Sequence, residues 1–477
     1  MDKNISELQR IFNLQKKAYR ASHMPTYQER IDRLNRLEQL TRNNIEEITN
    51  ALQQDFGTRS RDWIFVADIF PQLSHVKKVK KHLKKWMRRE RKSSGLLSLT
   101  GQRTYIVNEP LGVVGIVSPF NAPVSLAFDP AIDALAAGNR AMIKISESTP
   151  KTAELIKKLV SEYFAEDELA VITGDVEVSK VFTSQPWDMF FFTGGSEVGK
   201  HILAANAKNL TPTILELGGK SPCVILDDAD VKTAAAKIGL IRLTNAGQVC
   251  ISGDYVLLPE NKLETFIDEA RNQVEEAYPS IIDNENFTSI INDQSYNRIT
   301  GYIDEAKAAG CRIIQCNPKN ELVPDPLTRK IPMTMVVNPS KDLKVSQHEI
   351  FGPVLSIYTY SDLDDVIHLI NRKEKPLALY IFGKNRKAID KVINNTSSGG
   401  VTVNDLLMHA DSDHIGFGGV GYSGMGRYKG GFIGYQAFTN PKAVHEQGLM
   451  GRFTTNFFKP YKSDRTRKMI RGQVGVK

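Results

Sequence analysis

Apolar residues recur near a helical period at the start of the chain. Ile31, Leu34, Leu37, Leu40 and Ile45 share one face of ERIDRLNRLEQLTRNNIEEITNAL, and this predicts helix through residues 1–56. From about residue 104 the pattern changes. TYIVNEPLGVVGIVSP is rich in β-branched residues and broken by Pro and Gly, which predicts strands. NRAMIKIS, LAVITG and WDMFFFTGG read as further strands, with helix in DPAIDALAAG, TAELIKKLVSEYF and the end at SKVFTSQ. After residue 220 the alternation resumes. SPCVILDD and DYVLLPEN are strand-like, VKTAAAKIGLIRL and LETFIDEARNQVEEAY are helical, and the apolar runs IPMTMVVN, PVLSIYTY and LALYIFG follow. Strands alternating with helices predict parallel α/β sheets in two successive units.

At roughly 100–200 residues per domain, 477 residues suggest two to four domains, with cores that need no staple. The four cysteines, Cys223, Cys250, Cys311 and Cys316, form no C-x-x-C pair and no zinc-spaced cluster, which suits a reducing compartment. The start, MDKNISELQR, has no apolar core, and no apolar run is long enough to span a bilayer. A cytoplasmic protein is expected. The net charge of +8 is mostly local: residues 77–92, KKVKKHLKKWMRRERK, carry ten Lys/Arg and one Glu, so the remainder is close to neutral. Val79, Leu83 and Trp86 recur at helical spacing there, which predicts an amphipathic helix with a basic face. Such a face is either solvated or a contact for a membrane surface or polyanion. Residues 446–477 are basic as well, and RFTTNFF and RTRKMIRGQ suit a peripheral end.

Four stretches offer chemistry. In FFFTGGSEVGK a strand runs into Gly194 and Gly195 before a helix, a junction whose free N–H groups suit a pyrophosphate or simply make a turn. In LELGGKSP, Glu216 is either a turn acid or a buried base of raised pKa. Cys250 in NAGQVCISGDY is either an inert small residue or a nucleophile. Asn121 lies between two prolines in SPFNAP, as a turn former or as an amide donor to an oxyanion.

Each signal alone is weak, but their order is specific: SPFNAP, KISESTP, FTGGSEVG, ELGGKSP, NAGQVC, EIFGPV and FGGVGYSGMG. This series resembles the aldehyde dehydrogenase superfamily from about residue 25 to 445. IGFGGVGYSGMGRYKG and TVNDLLMH resemble its class 3 branch. DFGTRSRDWIFVADIFPQLSHVKKVKKHLKKWM is most similar to the coniferyl aldehyde dehydrogenases, which makes the basic helix a family feature and no nucleic-acid contact expected.

The resemblance implies a Rossmann-like NAD(P)-binding domain (1–91 and 110–216), an α/β catalytic domain (217–430), and a protruding β oligomerisation arm with a C-terminal tail (92–109 and 431–477). It implies a homodimer. It also implies that Cys250 is the nucleophile, Glu216 the general base, and Asn121 with the Cys250 backbone N–H the oxyanion hole. Lys144 and Glu147 would hold the adenosine ribose of NAD or NADP, Gly194 and Gly195 its pyrophosphate, and Glu349 and Phe351 the nicotinamide end. No metal is expected. The implied reaction oxidises an aromatic, hydroxycinnamyl-like or medium-to-long aliphatic aldehyde to the acid. The alternatives are a CoA-acylating relative and a non-catalytic protein binding polyanions or membrane surfaces. Phe120 stands where the family often has Trp, Ala122 where it often has an aromatic, and Ile145 where a proline usually follows the cofactor lysine. The first two bear on the substrate tunnel and the third on the choice between NAD and NADP.

Overall fold

The computed structural model describes residues 3–412, 414–449, 451 and 463–475. The N-terminal helical region divides into Lys3–Ala21, Tyr27–Asn43 and Ile45–Phe56. Thr26 starts the second helix with a capping box: its side chain accepts from the Glu29 N–H while Glu29 reaches back to the Thr26 backbone. Leu34, Leu37 and Leu40 are buried against the helix Ser125–Ala137 and its neighbours, as their spacing requires.

The basic segment is not one helix. The helix Phe70–Trp86 stops after its Val79 and Leu83 face is covered, and Glu90–Lys92 turns into a strand paired antiparallel with Thr104–Ile106. The expected helix over 77–92 is therefore cut at Trp86. There the indole packs on Tyr435, at 5.7 Å between ring centroids, and the backbone leaves to join a sheet. Lys80 pairs with Glu38 on the neighbouring helix.

Six strands form the first sheet, in the spatial order Gly424–Met425, Thr213–Glu216, Met189–Thr193, Val113–Ser118, Arg140–Ile145, Leu169–Ile172. All run parallel except Gly424–Met425. Val113–Ser118 is the first of these strands in the chain and lies between Arg140–Ile145 and Met189–Thr193. The order reverses there, so a crevice opens beyond the carboxyl ends of Val113–Ser118 and Met189–Thr193, where doubly wound sheets bind ligands. The residues that follow those two ends include Phe120, Asn121, Gly194 and Gly195.

The second sheet has seven strands, in the order Arg312–Gln315, Thr334–Val337, Val354–Tyr360, Tyr255–Pro259, Pro222–Ile225, Ala378–Phe382, Gly400–Val403. Only Arg312–Gln315 is antiparallel. Glu90–Lys92, Arg103–Pro110 and Thr439–Glu446 make a third, antiparallel sheet, joining segments more than 300 residues apart. The architecture is α/β, with a Rossmann-like sheet, a second α/β sheet and an antiparallel appendage. Among the described residues no helix is long and apolar enough to cross a membrane. RTRKMIRGQ lies in the helix Asp464–Gln473, whereas RFTTNFF lies outside the described residues.

Candidate active site

Asn121 sits in the loop leaving Val113–Ser118 and is buried. Its side-chain amide donates to the carbonyl of Gln248 at 3.1 Å, which crosses from the first sheet's loop to the loop before Cys250. That second loop has an unusual backbone. Asn245, Ala246 and Gly247 all take positive φ (52°, 52° and 72°). Gly247 is required there, since a Cβ would lie 2.2 Å from the carbonyl oxygen of Gly352. The strained turn is held by Gln248. Its Nε2 donates to the carbonyls of Asn245 (2.9 Å) and Ser289 (3.2 Å), and its Oε1 accepts from the Ile291 N–H (3.0 Å). These polar contacts fix the loop that carries Cys250, which packs at the margin of the second sheet's core. Cys250 is half-buried, unlike Cys223 and Cys316, which are buried.

Three acids shape the electrostatics. Burial pushes the Cys250 thiol up to about 12, and the charges of Glu349 and Glu216 add to the rise. The backbone N–H groups of Cys250 and Ile251 oppose it. Glu216 ends the strand Thr213–Glu216 with its side chain buried, and neither carboxyl oxygen has a hydrogen-bond partner among the described residues. Its pKa is driven well above the ordinary carboxyl range by desolvation, offset in part by Arg427 and Lys429. Glu349 reaches about 8, first by burial and then by the charge of Asp254. The Glu349 carboxylate lies against Gly218, where a Cβ would come within 1.9 Å of its Oε2. The missing side chain at Gly218 thus makes room for the carboxylate.

Gly195 caps the helix Ser196–Ala207, and a Cβ there would meet no atom within 4 Å. Gly194 is packed instead: its N–H donates to the Glu216 carbonyl at 3.0 Å, and a Cβ would strike the Phe192 ring. Ser196 lines a cleft of about 430 Å³, with Gly218, Gly219, Lys220 and Glu349 on its other wall. An open helix N-terminus at the end of a parallel strand is an anion cradle. Phe351, with φ 48°, sets its ring edge-on to Phe120, with centroids 5.8 Å apart.

Cys250, Glu216, Glu349 and Asn121 therefore meet in one region. Gly194, Gly195 and Phe351 border it. Lys144 and Glu147 lie apart from that cluster, at the end of the adjacent strand Arg140–Ile145. There Lys144 is buried, donates to the Ile145 carbonyl and stands 3.7 Å from the half-exposed Glu147 carboxylate. The sequence assigns no role to Arg59 and Asp68, nor to Asn245 and Gln248, which lie within NAGQVC, though all four are buried beside the site. DFGTRSRD was visible, but Arg59 among flanking charges carries no sign that it is fully buried.

A family model described as the aldehyde dehydrogenase family matches residues 2–444. The coniferyl aldehyde dehydrogenase of a Pseudomonas species is 42% identical over 446 residues, covering 94% of this chain and 92% of that one. Among solved structures, the substrate-bound state of Staphylococcus aureus AldH superposes with a TM-score of 0.87 at 33% identity, over 94% of this chain and 99% of that one. A Mycobacterium tuberculosis aldehyde dehydrogenase complexed with NAD+ superposes with a TM-score of 0.82 at 26% identity, over 92% and 90% of the two chains.

Proposed function

Because the chain belongs to the aldehyde dehydrogenase family and is an NAD(P)-dependent aldehyde dehydrogenase, we propose that Cys250 attacks the aldehyde, Asn121 stabilises the oxyanion and Glu216 activates water. The observation that carries this reading is the convergence of a partly buried cysteine, a buried carboxyl at a strand end with no partner among the described residues, and a buried amide.

The Cys250 thiol loses its proton to water, and the thiolate sulfur forms a bond to the aldehyde carbon as the carbonyl electron pair moves to oxygen. The Asn121 amide and the Cys250 backbone N–H, now close to the thiol, stabilise that charge, and such donors act strongly in a dry site. NAD or NADP supplies the hydride acceptor, which no side chain provides. Loss of hydride leaves a thioester on Cys250. Glu216, poised by burial, takes a proton from water, the oxygen adds to the thioester carbon, and the carbon–sulfur bond breaks to release the acid.

The residues present fit the cofactor. The open Gly195 N-terminus suits a pyrophosphate, and Gly194 shapes the turn before it. Lys144 and Glu147 suit an adenosine ribose. Glu349, in the cleft, suits the nicotinamide ribose, with Phe351 packed beside it. On this reading the cofactor domain is 1–91 with 110–216, the catalytic domain is 217–430, and residues 92–109 with 431–477 form arm and tail. The late return of Gly424–Met425 and Phe432–Ala437 to the first unit joins these parts tightly.

The substrate of this reading is an aromatic aldehyde of the hydroxycinnamyl type, supported by the name of the 42%-identical relative. A cytoplasmic homodimer is part of it, and so is any weak membrane contact through the basic surface. One experiment tests the whole: a panel of hydroxycinnamyl, benzoyl and C6–C16 aliphatic aldehydes with NAD and with NADP, with and without CoA. Free acid formed fastest from hydroxycinnamyl aldehydes supports the reading. Aliphatic preference overturns the substrate class, and a CoA thioester product overturns the role of Glu216.

A further inference from the structure

We propose that Arg59, held by Asp68, is a positioning residue that fixes the distance between the Asn121 amide and the Cys250 loop. This rests on the roles proposed above for Asn121 and Cys250. Arg59 and Asp68 are both fully buried, with Arg59 Nη2 3.0 Å from Asp68 Oδ2. The same Nη2 donates to the Asn121 backbone carbonyl at 2.8 Å, and Nε donates to Asn245 Oδ1 at 3.1 Å. Asn245 in turn donates through Nδ2 to the carbonyls of both Asn121 and Gln248, each at 3.2 Å. Asp68 Oδ1 accepts from the Val124 N–H at 3.0 Å, three residues beyond Asn121. One guanidinium thus grips both loops, and its counter-ion grips the first loop again.

The guanidinium is itself anchored. It lies over the Phe56 ring, 4.5 Å from the centroid. The Arg59 carbonyl accepts from Gln53 at 3.1 Å, and the neighbouring Thr58 carbonyl accepts from the Ser289 N–H at 2.9 Å. A buried ion pair is a costly way to gain stability, since well-packed apolar residues often do as well. What it provides here is directional: a planar fork with donors aimed at two separate loops. Lysine carries the charge without the fork. Its ammonium cannot serve the Asn121 carbonyl and Asn245 Oδ1 with the same geometry.

The test compares Arg59→Lys and the charge-neutral double variant Arg59→Gln/Asp68→Asn with the full-length enzyme. The double variant removes both charges together, so neither is left buried alone. For variants that keep the wild-type circular dichroism and NAD+ affinity within twofold, the rate constant of the first-turnover NADH burst falls about 10²-fold, because a small misplacement near reacting atoms costs that much. The aldehyde KM changes little. Combined with Asn121→Ala, the same substitutions add less than threefold, because the group they orient is already gone. A burst rate constant within threefold of wild type in the folded variants, or losses that multiply with Asn121→Ala, overturns the proposal. Asn121→Ala alone separates the failures. If it is impaired while the Arg59 variants are not, only the clamp falls. If it is fully active, the role of Asn121 falls and the clamp with it. Should the double variant fail to fold, Arg59→Lys alone decides by the same limits.

Discussion

The Asn121 side chain donates to the backbone carbonyl of Gln248 at 3.1 Å, and Gln248 stands two residues before Cys250. That hydrogen bond spans 127 residues of sequence and joins the switch-point loop of the first sheet to the thiol-bearing loop of the second unit. It holds the amide against the loop that carries Cys250 before any substrate arrives.

Asn121→Ala should therefore fold and bind cofactor but lose about 10²–10³ in the rate of thiohemiacetal oxidation, the usual cost of one oxyanion donor. The NADH burst, followed alongside circular dichroism, measures it. Wild-type burst kinetics would remove Asn121 from the chemistry.

Activity should climb with pH from neutrality into the alkaline range. The Cys250 thiol, pushed up to about 12, holds its proton at pH 7 and must release it to work. Raising pH frees the thiolate, so the sign is positive, and burial shifts Glu216 in the same upward direction. A pH–rate profile for kcat/KM that falls between pH 7 and pH 9 contradicts this arrangement.

Glu349 is the first of the two acids that raise the Cys250 pKa after burial itself. Glu349→Gln removes that negative charge, favours the thiolate and speeds alkylation of Cys250 by iodoacetamide. Because Glu349 titrates near 8, the variant's advantage should be larger at pH 9 than at pH 7. A variant-to-wild-type ratio of alkylation rates that stays at one at both pH values would show that the carboxylate does not act on the sulfur.

Much of this site was legible in the sequence, and the reasons are local. Cys250, Glu216 and Asn121 each lie in a short motif, and the order of the motifs carried their meaning. The parallel sheets followed from apolar runs such as MFFFT and CVI, which are buried on both faces. Arg312–Gln315 escaped notice because it is a half-exposed edge strand with no period-2 pattern. Residues 77–92 read as one helix because neither Gly nor Pro marks the break at Trp86. Arg59 and Asp68 were invisible for a different reason. They sit nine positions apart, with Asp68 inside the π-helical turn Phe65–Ile69, and only tertiary folding buries them together.

Gly247→Ala should damage both stability and reactivity. The residue sits at φ 72° with the Gly352 carbonyl in the way of any Cβ, a strained position costing about 1–3 kcal/mol before the clash is counted. A Tm at least about 2 °C lower, with slower alkylation of Cys250, is expected. Unchanged Tm would mean that the turn relaxes freely.

The three-stranded appendage of Glu90–Lys92, Arg103–Pro110 and Thr439–Glu446 leaves much of its last strand exposed, a surface suited to a second copy. Light scattering should return at least twice the chain mass of 53.3 kDa. A monomer at micromolar concentration would refute the dimer.

The most direct test of the central claim is acid-quenched mass spectrometry of Glu216→Gln after mixing with coniferyl aldehyde and NAD+. With water activation removed, about one NADH per active site should form in a burst. An acyl group, two hydrogens lighter than the aldehyde adduct, should then sit on the peptide containing Cys250. An acyl group on another residue, or full turnover by Cys250→Ala, would contradict the account.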